Sequence, residues 1–346
     1  MGLMSEERLI SENRDPNPVK RDLKSEEGFE PLAEIITQEL LERGSLGDRL
    51  ATADGARGVA ELIAAAVVDR FVVRPRPAER VHDHVRRGAP AGSGVILEVR
   101  DLSIVYGNKT AVDGISLEIR RGEIFGLLGP NGAGKTSTLS AIEGLIKPQA
   151  GAVFLDGVDI RRHPSEAKAK MGVQLQATSF QSQLTIKQIV RLYAGLYGVR
   201  LSDDEITARL QEIGLEGEAT KPFKQLSGGQ QQRLSLSVAV VHEPALLLLD
   251  EPTAGLDPQS RRQLWGRIEH IRQEGGSILL TTHSMEEAEA VCDRVAIIDH
   301  GKVLTSETPQ NLIAKHKDDP EVRKVAHGEV TLEDVFIGLT GSEIRE

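Results

Sequence analysis

A glycine-rich loop is the part of this sequence whose spacing most directly predicts chemistry. Gly129-Pro-Asn-Gly-Ala-Gly-Lys-Thr136 has the Gly-x-x-x-x-Gly-Lys-Thr spacing of a phosphate-binding loop. Its glycines allow successive N–H groups to turn inward, which makes an anion site at the start of a helix. We expect Lys135 to neutralise the β- and γ-phosphates of a nucleoside triphosphate, and the Thr136 hydroxyl to ligate Mg²⁺. The predicted nucleotide-binding residues are Gly129, Pro130, Asn131, Gly132, Ala133, Gly134, Lys135, Thr136 and Ser137.

Two adjacent carboxylates supply the second half of this chemistry. An apolar strand is predicted over Ala245–Leu249, and it ends in Asp250 and Glu251. Ligands of open α/β sheets bind at the carboxyl ends of the strands. This position favours a role of the two acids at a bound ligand over simple solvation of their charges. We expect Asp250 to hold Mg²⁺ through water and Glu251 to orient or deprotonate an attacking water.

A second anion site is predicted at Leu226-Ser-Gly-Gly-Gln230. At a helix N-terminus, Ser227 and the glycines offer a hydroxyl, bare N–H groups and the positive end of the helix dipole. Taken alone, the string is equally consistent with an ordinary capped helix. Its position between the phosphate loop and the carboxylates favours a role at the nucleotide.

Strands and helices that alternate from Val95 onward must position these groups. The alternation of predicted strands and helices indicates a largely parallel sheet covered by helices. We predict strands at Val95–Val99 and Ile115–Ile119 joined by a turn at Asp113-Gly114, strands at Glu123–Leu128 and Ser277–Thr282, and helices at Thr136–Gly144, Met285–Ala290 and around Leu332–Leu339.

Residues 1–94 form a separate region by composition. Met1–Glu30 is charged and aperiodic, which predicts disorder. Pro31–Arg43 and Val59–Phe71 have the apolar spacing of two short amphipathic helices, and Arg74–Gly94 reads as a Pro-rich linker. The region is either a loosely docked extension or a partner-binding module. A later translation start, at a codon such as that of Val95, is a further alternative.

The bulk composition excludes several classes. The longest apolar runs, Leu62–Val68 and Ala245–Leu249, fall far short of the roughly 20 residues that span a bilayer, and no signal peptide opens the chain. A single cysteine, Cys292, excludes a disulfide framework and a zinc cluster, and it fits a reducing cytosol. The net charge of −10 argues against nucleic acid as a partner.

From Val95 to Gln310 the sequence resembles the ATP-binding subunits of ABC transporters. Leu226–Gln230, followed by Gln231-Gln-Arg233, matches the signature of that family. The resemblance implies an α/β P-loop NTPase fold of the ABC type: a mostly parallel sheet with an antiparallel β subdomain and a helical signature subdomain (about 177–240), preceded by a small helical N-terminal extension. It also implies ATP and Mg²⁺ as cofactors and ATP hydrolysis as the activity. The trans ATP contact, made to the nucleotide of a second cassette in a head-to-tail homodimer, would come from Leu226, Ser227, Gly228, Gly229 and Gln230.

Four further residues fall where the family pattern expects them. Tyr106 resembles the aromatic that stacks on adenine, and His283 resembles the histidine that contacts the γ-phosphate. Gln176 resembles the glutamine that joins Mg²⁺ and the attacking water, with Gln174 as a near decoy, and Asp257 resembles the aspartate at the dimer seam. The resemblance thus implies a catalytic set of Glu251, His283, Lys135 and Gln176, and a Mg²⁺ set of Thr136, Gln176 and Asp250.

The partner implied by the resemblance is a multi-helix membrane permease. Ala177–Gln225 would receive it, which places the chain in the cytoplasm at the inner face of the cell membrane. Gln181–Gln188 and Thr331–Thr340 resemble the drug-exporter type of cassette, the group of daunorubicin-resistance, nodulation and sodium-export ATPases. The tail, 311–346, reads as an accessory segment with a shorter connector than that group usually has.

The alternative is a soluble ABC ATPase with cytosolic partners, such as nucleic acid, ribosomes or a cluster-assembly machinery. Such proteins generally carry two cassettes or a long coiled coil between the loop and the signature. This chain has one cassette and about ninety residues between Thr136 and Leu226, so the transporter reading is favoured.

Overall fold

The computed structural model describes residues 94–174 and 180–341. The predicted N-terminal helices and linker, the glutamine Gln176 and residues 342–346 lie outside the described residues. The strands are β1 (Val95–Tyr106), β2 (Lys109–Arg120), β3 (Ile124–Leu128), β4 (Ala150–Leu155), β5 (Val158–Asp159), β6 (Met171–Val173), β7 (Leu246–Asp250), β8 (Ser277–Thr282), β9 (Arg294–Asp299) and β10 (Lys302–Glu307). The α-helices are α1 (Lys135–Ile142), α2 (Pro164–Ala169), α3 (Ile186–Leu196), α4 (Asp203–Glu212), α5 (Gly228–Ala239), α6 (Pro258–Gln273), α7 (Met285–Val291), α8 (Pro309–His316), α9 (Pro320–Val325) and α10 (Leu332–Thr340).

A four-stranded antiparallel sheet, in the order β2-β1-β4-β5, forms the first layer. Its first two strands are a long hairpin that turns at residues 107–108, where Tyr106 pairs with Lys109. The turn predicted at Asp113-Gly114 is wrong, because both residues lie inside β2. Gly114 has a φ of +69°, and the register between β1 and β2 shifts beside it. Asp113 and Gly114 therefore form a β-bulge within β2 rather than a chain reversal.

A six-stranded sheet, in the order β10-β9-β3-β8-β7-β6, forms the second layer. All of its pairings are parallel except that of β9 with β10. The predicted strands that end at Leu128 and Thr282 are confirmed as β3 and β8, and every residue of both is buried. Parallel strands covered on both faces read as continuous apolar runs, which explains why these were evident from sequence.

Side chains of the central strands alternate between two apolar cores. Phe125 and Leu127 point into the core shared with the antiparallel sheet. Ile124 and Leu128 point into the core shared with α6 and α7. This alternation is the period of two that a pleated strand imposes. Because both faces are covered, the carboxyl ends of β3, β7 and β8 are held at one edge of a rigid sheet.

Helices α3, α4 and α5 build a third apolar core of their own, around residues such as Phe180 and Leu234. Each of the three begins with a capping box, in which the N-cap hydroxyl and the side chain three residues later satisfy each other's backbone N–H. The caps are Thr185, Ser202 and Ser227. The third of these helices begins within the predicted signature.

The C-terminal helices α8, α9 and α10 pack into the core that contains Leu249 and Leu280. Their buried members of this core are Leu312, Val322, Leu332, Val335 and Phe336. Full burial of one such side chain contributes about 1.5–3 kcal/mol, so these helices add substantially to the stability of the sheet. The domain boundary predicted at residue 310 falls inside α8. The helix predicted around Leu332–Leu339 forms as α10.

Candidate nucleotide-binding and hydrolysis site

The phosphate loop connects β3 to α1, as the sequence predicted. Gly134 is the N-cap of α1 and has a φ of +106°, a conformation that favours glycine. A Cβ at Gly129 would lie 2.4 Å from the carbonyl oxygen of Ile298, and one at Gly134 would lie 2.5 Å from that of Ala111. The loop is therefore compressed against its neighbours, and only glycine fits at these two positions.

Lys135 lies inside the loop, with 6% of its side chain exposed. Its Nζ donates to the carbonyl oxygens of Gly129 at 2.7 Å and Pro130 at 3.3 Å. Burial lowers the pKa of this ammonium group, and the negative charges of Glu251 and Asp250 oppose that shift. The lysine is thus held at the loop by groups that a triphosphate would replace with stronger partners. Thr136 follows at the exposed first turn of α1.

The two carboxylates lie where β7 ends, as predicted. Asp250 is the last residue of β7 and pairs with Thr281 of β8, whose hydroxyl donates to Asp250 Oδ1. The backbone N–H of Glu251 donates to the same hydroxyl oxygen at 3.0 Å and to the carbonyl oxygen of Thr281 at 3.1 Å. One buried threonine therefore orients both acids.

Glu251 bridges the lysine and the histidine of the predicted catalytic set. Its Oε1 lies 3.9 Å from Lys135 Nζ, and its Oε2 lies 3.4 Å from His283 Nδ1. Its backbone φ is +45°, a conformation that costs a non-glycine residue roughly 1–2 kcal/mol. Strain of this kind is concentrated at functional sites, where surrounding contacts hold the residue in place. The structure thus brings Lys135, Glu251 and His283 together.

The signature residues open α5 at the protein surface. Ser227 is the N-cap: its hydroxyl accepts from the backbone N–H of Gln230, whose side chain in turn accepts from the Ser227 N–H at 2.9 Å. Leu226 is buried, whereas Ser227 and Gly228 are exposed. A Cβ at Gly228 would have no atom within 4 Å, so the N-terminus of α5 is open to a ligand.

Asp257 is the N-cap of α6 and lies next to the signature. Its carboxylate accepts from the Ser260 hydroxyl at 2.6 Å and from the backbone N–H groups of Gln259 and Ser260. The Ser260 hydroxyl bond is the main cause that lowers the pKa of Asp257. A Cβ at Gly229 would meet Ser260 Oγ at 2.8 Å, so the signature glycine packs directly on the residue that holds this aspartate.

Tyr106 ends β1, and 52% of its surface is exposed. An exposed ring at the end of a strand is available for stacking on a base. Its role at adenine stays a prediction.

Comparisons with known proteins identify the family. The sequence model described as ABC transporter matches residues 112–254. The Nod factor export ATP-binding protein I of Ralstonia nicotianae is 40% identical over 228 residues, which are 65% of this chain and 71% of the relative. The linearmycin resistance ATP-binding protein LnrL of Bacillus subtilis is 34% identical over 235 residues, 67% of this chain and 76% of the relative. The chain belongs to the ATP-binding proteins of ABC transporters.

Other comparisons set the extent of this likeness. The probable multidrug ABC transporter ATP-binding protein YbhF of Escherichia coli is 36% identical over 258 residues, which are 74% of this chain but 43% of the relative. The chain therefore spans less than half the length of that ABC protein. A solved ATP-binding subunit of an ABC transporter superposes with a TM-score of 0.61 at 29% identity. The superposed region covers 70% of this chain and 99% of the solved chain. The predicted ABC-type fold is confirmed, and the family is one of ATPases.

Gln176, which the ABC family pattern assigns to Mg²⁺ and the attacking water, lies outside the described residues. Gln174 is described: its backbone N–H donates to the carbonyl oxygen of Leu248 at 3.0 Å. Its side-chain amide is buried and has no hydrogen-bond partner within residues 94–174 and 180–341. The assignment of Gln176 stays a prediction.

Two residues of this ABC site were missed from sequence. Thr281 lies in β8, which also contains Ser277 and Thr282, so its hydroxyl does not stand out in the sequence. Its role becomes evident only from the pairing of β8 with the strand that ends in Asp250. Glu143, at the end of α1, has its pKa raised to about 7 by burial and, second, by the negative charge of Asp250, with Lys168 opposing. Nothing local distinguishes Glu143 in sequence, because its environment comes from residues 25 and 107 positions away.

Among the helices of residues 94–174 and 180–341, none combines the length and the apolar composition of a membrane-spanning helix.

Proposed function

We propose that this chain binds MgATP, pairs head to tail with a second cassette, and hydrolyses ATP to drive a separate membrane permease. The observation that carries the proposal is the position of Glu251, between Lys135 of the phosphate loop and His283, at the carboxyl ends of adjacent strands. Three polar side chains converge there from segments that are distant in sequence. Such convergence is the arrangement that phosphoryl transfer requires.

The residues present fit MgATP. The compressed glycines at 129 and 134 form a cradle with no room for a side chain, at the N-terminus of a helix. Asp250 and Thr136 offer oxygen ligands, the kind that Mg²⁺ prefers, and Gln176 is proposed to join them. Bound Mg²⁺ would offset phosphate charge and orient the γ-phosphate.

The protein side of the reaction follows from the geometry. Lys135 is placed to exchange its carbonyl contacts for phosphate oxygens, because its Nζ already lies at the loop. Glu251 is placed to accept a proton from the attacking water, since its strained backbone directs the carboxylate towards the loop. His283, on the other side of Glu251, is placed to contact the γ-phosphate and offset its charge.

Dimerisation supplies the second half of each site. The α5 N-terminus, with Ser227 and Gly228 exposed, is built to bind an anion. The chain's own triphosphate is held by its phosphate loop, so the ligand of this surface is the nucleotide of a second copy. A two-fold arrangement places Asp257 of each copy at the shared seam and satisfies both surfaces at once. Hydrolysis removes the γ-phosphate that joins the copies, and the dimer then opens.

Export is the direction supported by the relatives, whose names describe Nod factor export, linearmycin resistance and multidrug transport. We propose that the permease holds this chain at the cytoplasmic face of the membrane, and that α3 and its neighbours receive it. Purification of the full chain in detergent from its native host is expected to bring a multi-helix membrane protein with it. Recovery with cytosolic proteins alone would instead favour the soluble ABC ATPase.

The test of the chemistry is Glu251→Gln, which keeps the shape and removes the base. We expect ATP to bind as tightly as in the parent chain and hydrolysis to fall by about 10²–10⁴, measured by phosphate release and by equilibrium binding. Glu286→Gln is the control, because Glu286 is an exposed carboxylate on α7 whose partner is Arg261. Unchanged turnover in Glu251→Gln would remove Glu251 from the mechanism.

A further inference from the structure

Helix α7, which follows His283, carries one carboxylate that faces the protein interior. Glu287 is 0% exposed, whereas its neighbour Glu286 is on the surface. Glutamate is almost never fully buried unless it is paired, because removal of a charge from water is costly. The seven-residue helix could bury an apolar residue at this position at no such cost. A buried carboxylate there requires a reason in its contacts.

The contacts of Glu287 come from three directions. Trp265 of α6 donates its indole N–H to Glu287 Oε1 at 3.2 Å. Burial raises the pKa of Glu287, and the side chains of Thr282, Trp265 and Thr253, together with the positive charge of Arg261, oppose that rise. Glu287 Oε2 is buried and has no hydrogen-bond partner within the described residues. The backbone N–H of Glu287 donates to Ser284 Oγ at 3.2 Å, so the helix start is tied to the same cluster.

Each of these contacts belongs to a segment of the hydrolysis site. Thr282 is the residue immediately before His283, and Thr253 lies two residues after Glu251. Trp265 lies on α6, the helix that begins at the predicted seam residue Asp257. One buried carboxylate therefore contacts the loop of the proposed base, the loop of the histidine and the helix of the seam.

We propose that Glu287 is a positioning residue that holds the Glu251 and His283 loops at the separation hydrolysis requires. The inference rests on the proposed function, because it assigns Glu287 no role other than placing those two residues. The physical need is clear: Glu251 has a strained backbone and His283 is half-exposed at a strand end. Residues in such positions keep their geometry only when a second layer of contacts determines it.

The test compares Glu287→Gln with Glu286→Gln. Both variants replace one carboxyl group of α7 with an amide of the same shape, but only the first changes the buried group. We expect kcat of Glu287→Gln to fall about tenfold while KM for ATP changes less than about threefold, because the phosphate loop is untouched. Glu286→Gln is expected to keep both within about twofold. Activities are measured well below the unfolding temperature of each variant, so that only folded protein is compared.

A second variant approaches the same contact from the other side. Trp265→Phe keeps an aromatic ring at this position and removes the indole N–H donor. We expect its kcat to fall several-fold, and the double variant Glu287→Gln/Trp265→Phe to lose less than the product of the two single losses. Residues that share one contact show this non-additivity, whereas two independent structural defects multiply.

Several outcomes would overturn the inference. Folded Glu287→Gln with kcat within about twofold of the parent would do so, as would an equal loss in Glu286→Gln. If Glu287→Gln does not fold, Trp265→Phe decides, and an unchanged kcat in that variant rejects the role. Glu251→Gln separates this failure from that of the proposed function. When the parent hydrolyses ATP and Glu251→Gln does not, the proposed function stands whatever Glu287 does.

Discussion

At the scale of single residues, the candidate site is an arrangement of charges around one threonine. Asp250 and Glu251 are adjacent in sequence, yet their side chains have different neighbours and different proposed roles. Thr281 contacts both residues, because its hydroxyl donates to Asp250 and accepts from the Glu251 N–H. A hydroxyl is the smallest group that does both, since it is a donor and an acceptor at once.

Thr281→Val is the residue-scale prediction, because valine has the same shape without the hydroxyl. We expect a loss of about 1–3 kcal/mol in the free energy of unfolding, since Glu251 N–H and Asp250 lose a buried partner. We also expect kcat to fall about tenfold or more, because both acids lose their orientation. Urea unfolding and phosphate release measure the two effects.

Thr207→Val is the control for Thr281→Val. The Thr207 hydroxyl, on the exposed side of α4, donates to the Asp203 carbonyl, and its loss is expected to leave kcat unchanged. Equal activity in Thr281→Val and the parent would show that the two acids are oriented without the hydroxyl.

At the residue scale, the sequence predicted the groups that we propose for the chemistry but not those that orient them. Lys135, Asp250 and Glu251 were identified because each belongs to a motif with fixed local spacing, and His283 was identified by its resemblance to the family pattern. Thr281 and Glu287 orient these residues through contacts with other strands and helices. Such contacts follow from strand order, which no local spacing records.

At the scale of elements, one aromatic stack joins the helical part of the fold to the main sheet. Tyr197, at the end of α3, lies on the ring of His242 with centroids 3.6 Å apart and planes 5° apart. His242 Nε2 in turn lies 3.1 Å from the carbonyl oxygen of Met171 on β6. This contact connects α3 to β6.

His242 makes stability depend on pH. Burial lowers its pKa to about 4, with the hydrogen bond to Met171 opposing, whereas in the unfolded chain its pKa is about 6.5. As pH falls, the unfolded chain therefore binds the proton first. The neutral histidine contributes stability that is present above about pH 6.5 and is lost as pH falls to about 4. The expected slope is up to about 1.4 kcal/mol per pH unit within this window.

His242→Gln is expected to remove this contribution. It is measured as the difference between the parent and the variant in the free energy of unfolding in urea between about pH 4.5 and 7.5, since the raised pKa of Glu143 contributes a slope of opposite sign to both proteins. His270→Gln is the control, since His270 is an exposed residue of α6 beside Glu274. Parallel pH profiles for the parent and His242→Gln would show that this imidazole does not couple stability to pH.

The elements themselves were largely predictable where burial is continuous. β3 and the first four residues of β7 are continuous apolar runs, and β8 has an apolar centre of Ile278, Leu279 and Leu280, so their sequence patterns were clear. The hairpin of β1 and β2 was not, because Asp113-Gly114 has the composition of a turn but occupies a bulge. Long pairing of β1 with both β2 and β4 outweighs the local turn preference.

At the scale of the whole molecule, the proposed active unit is two copies of this chain. Exposed Gly228 at the start of α5 lies where the γ-phosphate of the other copy is proposed to bind. A carboxylate placed there would repel that phosphate. It would also favour the chain's own helix, since negative charge in a first turn is stabilising. Dimer formation and monomer folding are therefore separable.

Gly228→Glu, introduced into Glu251→Gln, is expected to stay monomeric with MgATP, whereas Glu251→Gln alone dimerises. Size-exclusion chromatography with light scattering measures this, and ATP binding to the monomer should remain. Gly217→Glu is the matched control, because Gly217 is also exposed with no atom within 4 Å of an added Cβ. A dimer that forms regardless of Gly228→Glu would place the signature outside the interface.

The sequence by itself determined the phosphate loop, the paired carboxylates, the signature and the family. Each is a short string whose chemistry depends on residues within one loop or one helix turn. The tertiary structure decided that Thr281 orients the two acids, that Glu287 lies buried between three segments, and that α8 to α10 belong to the core. Those features arise where residues tens to hundreds of positions apart come into contact. Their energies depend on burial and distance, which exist only once the strands are ordered in the sheet.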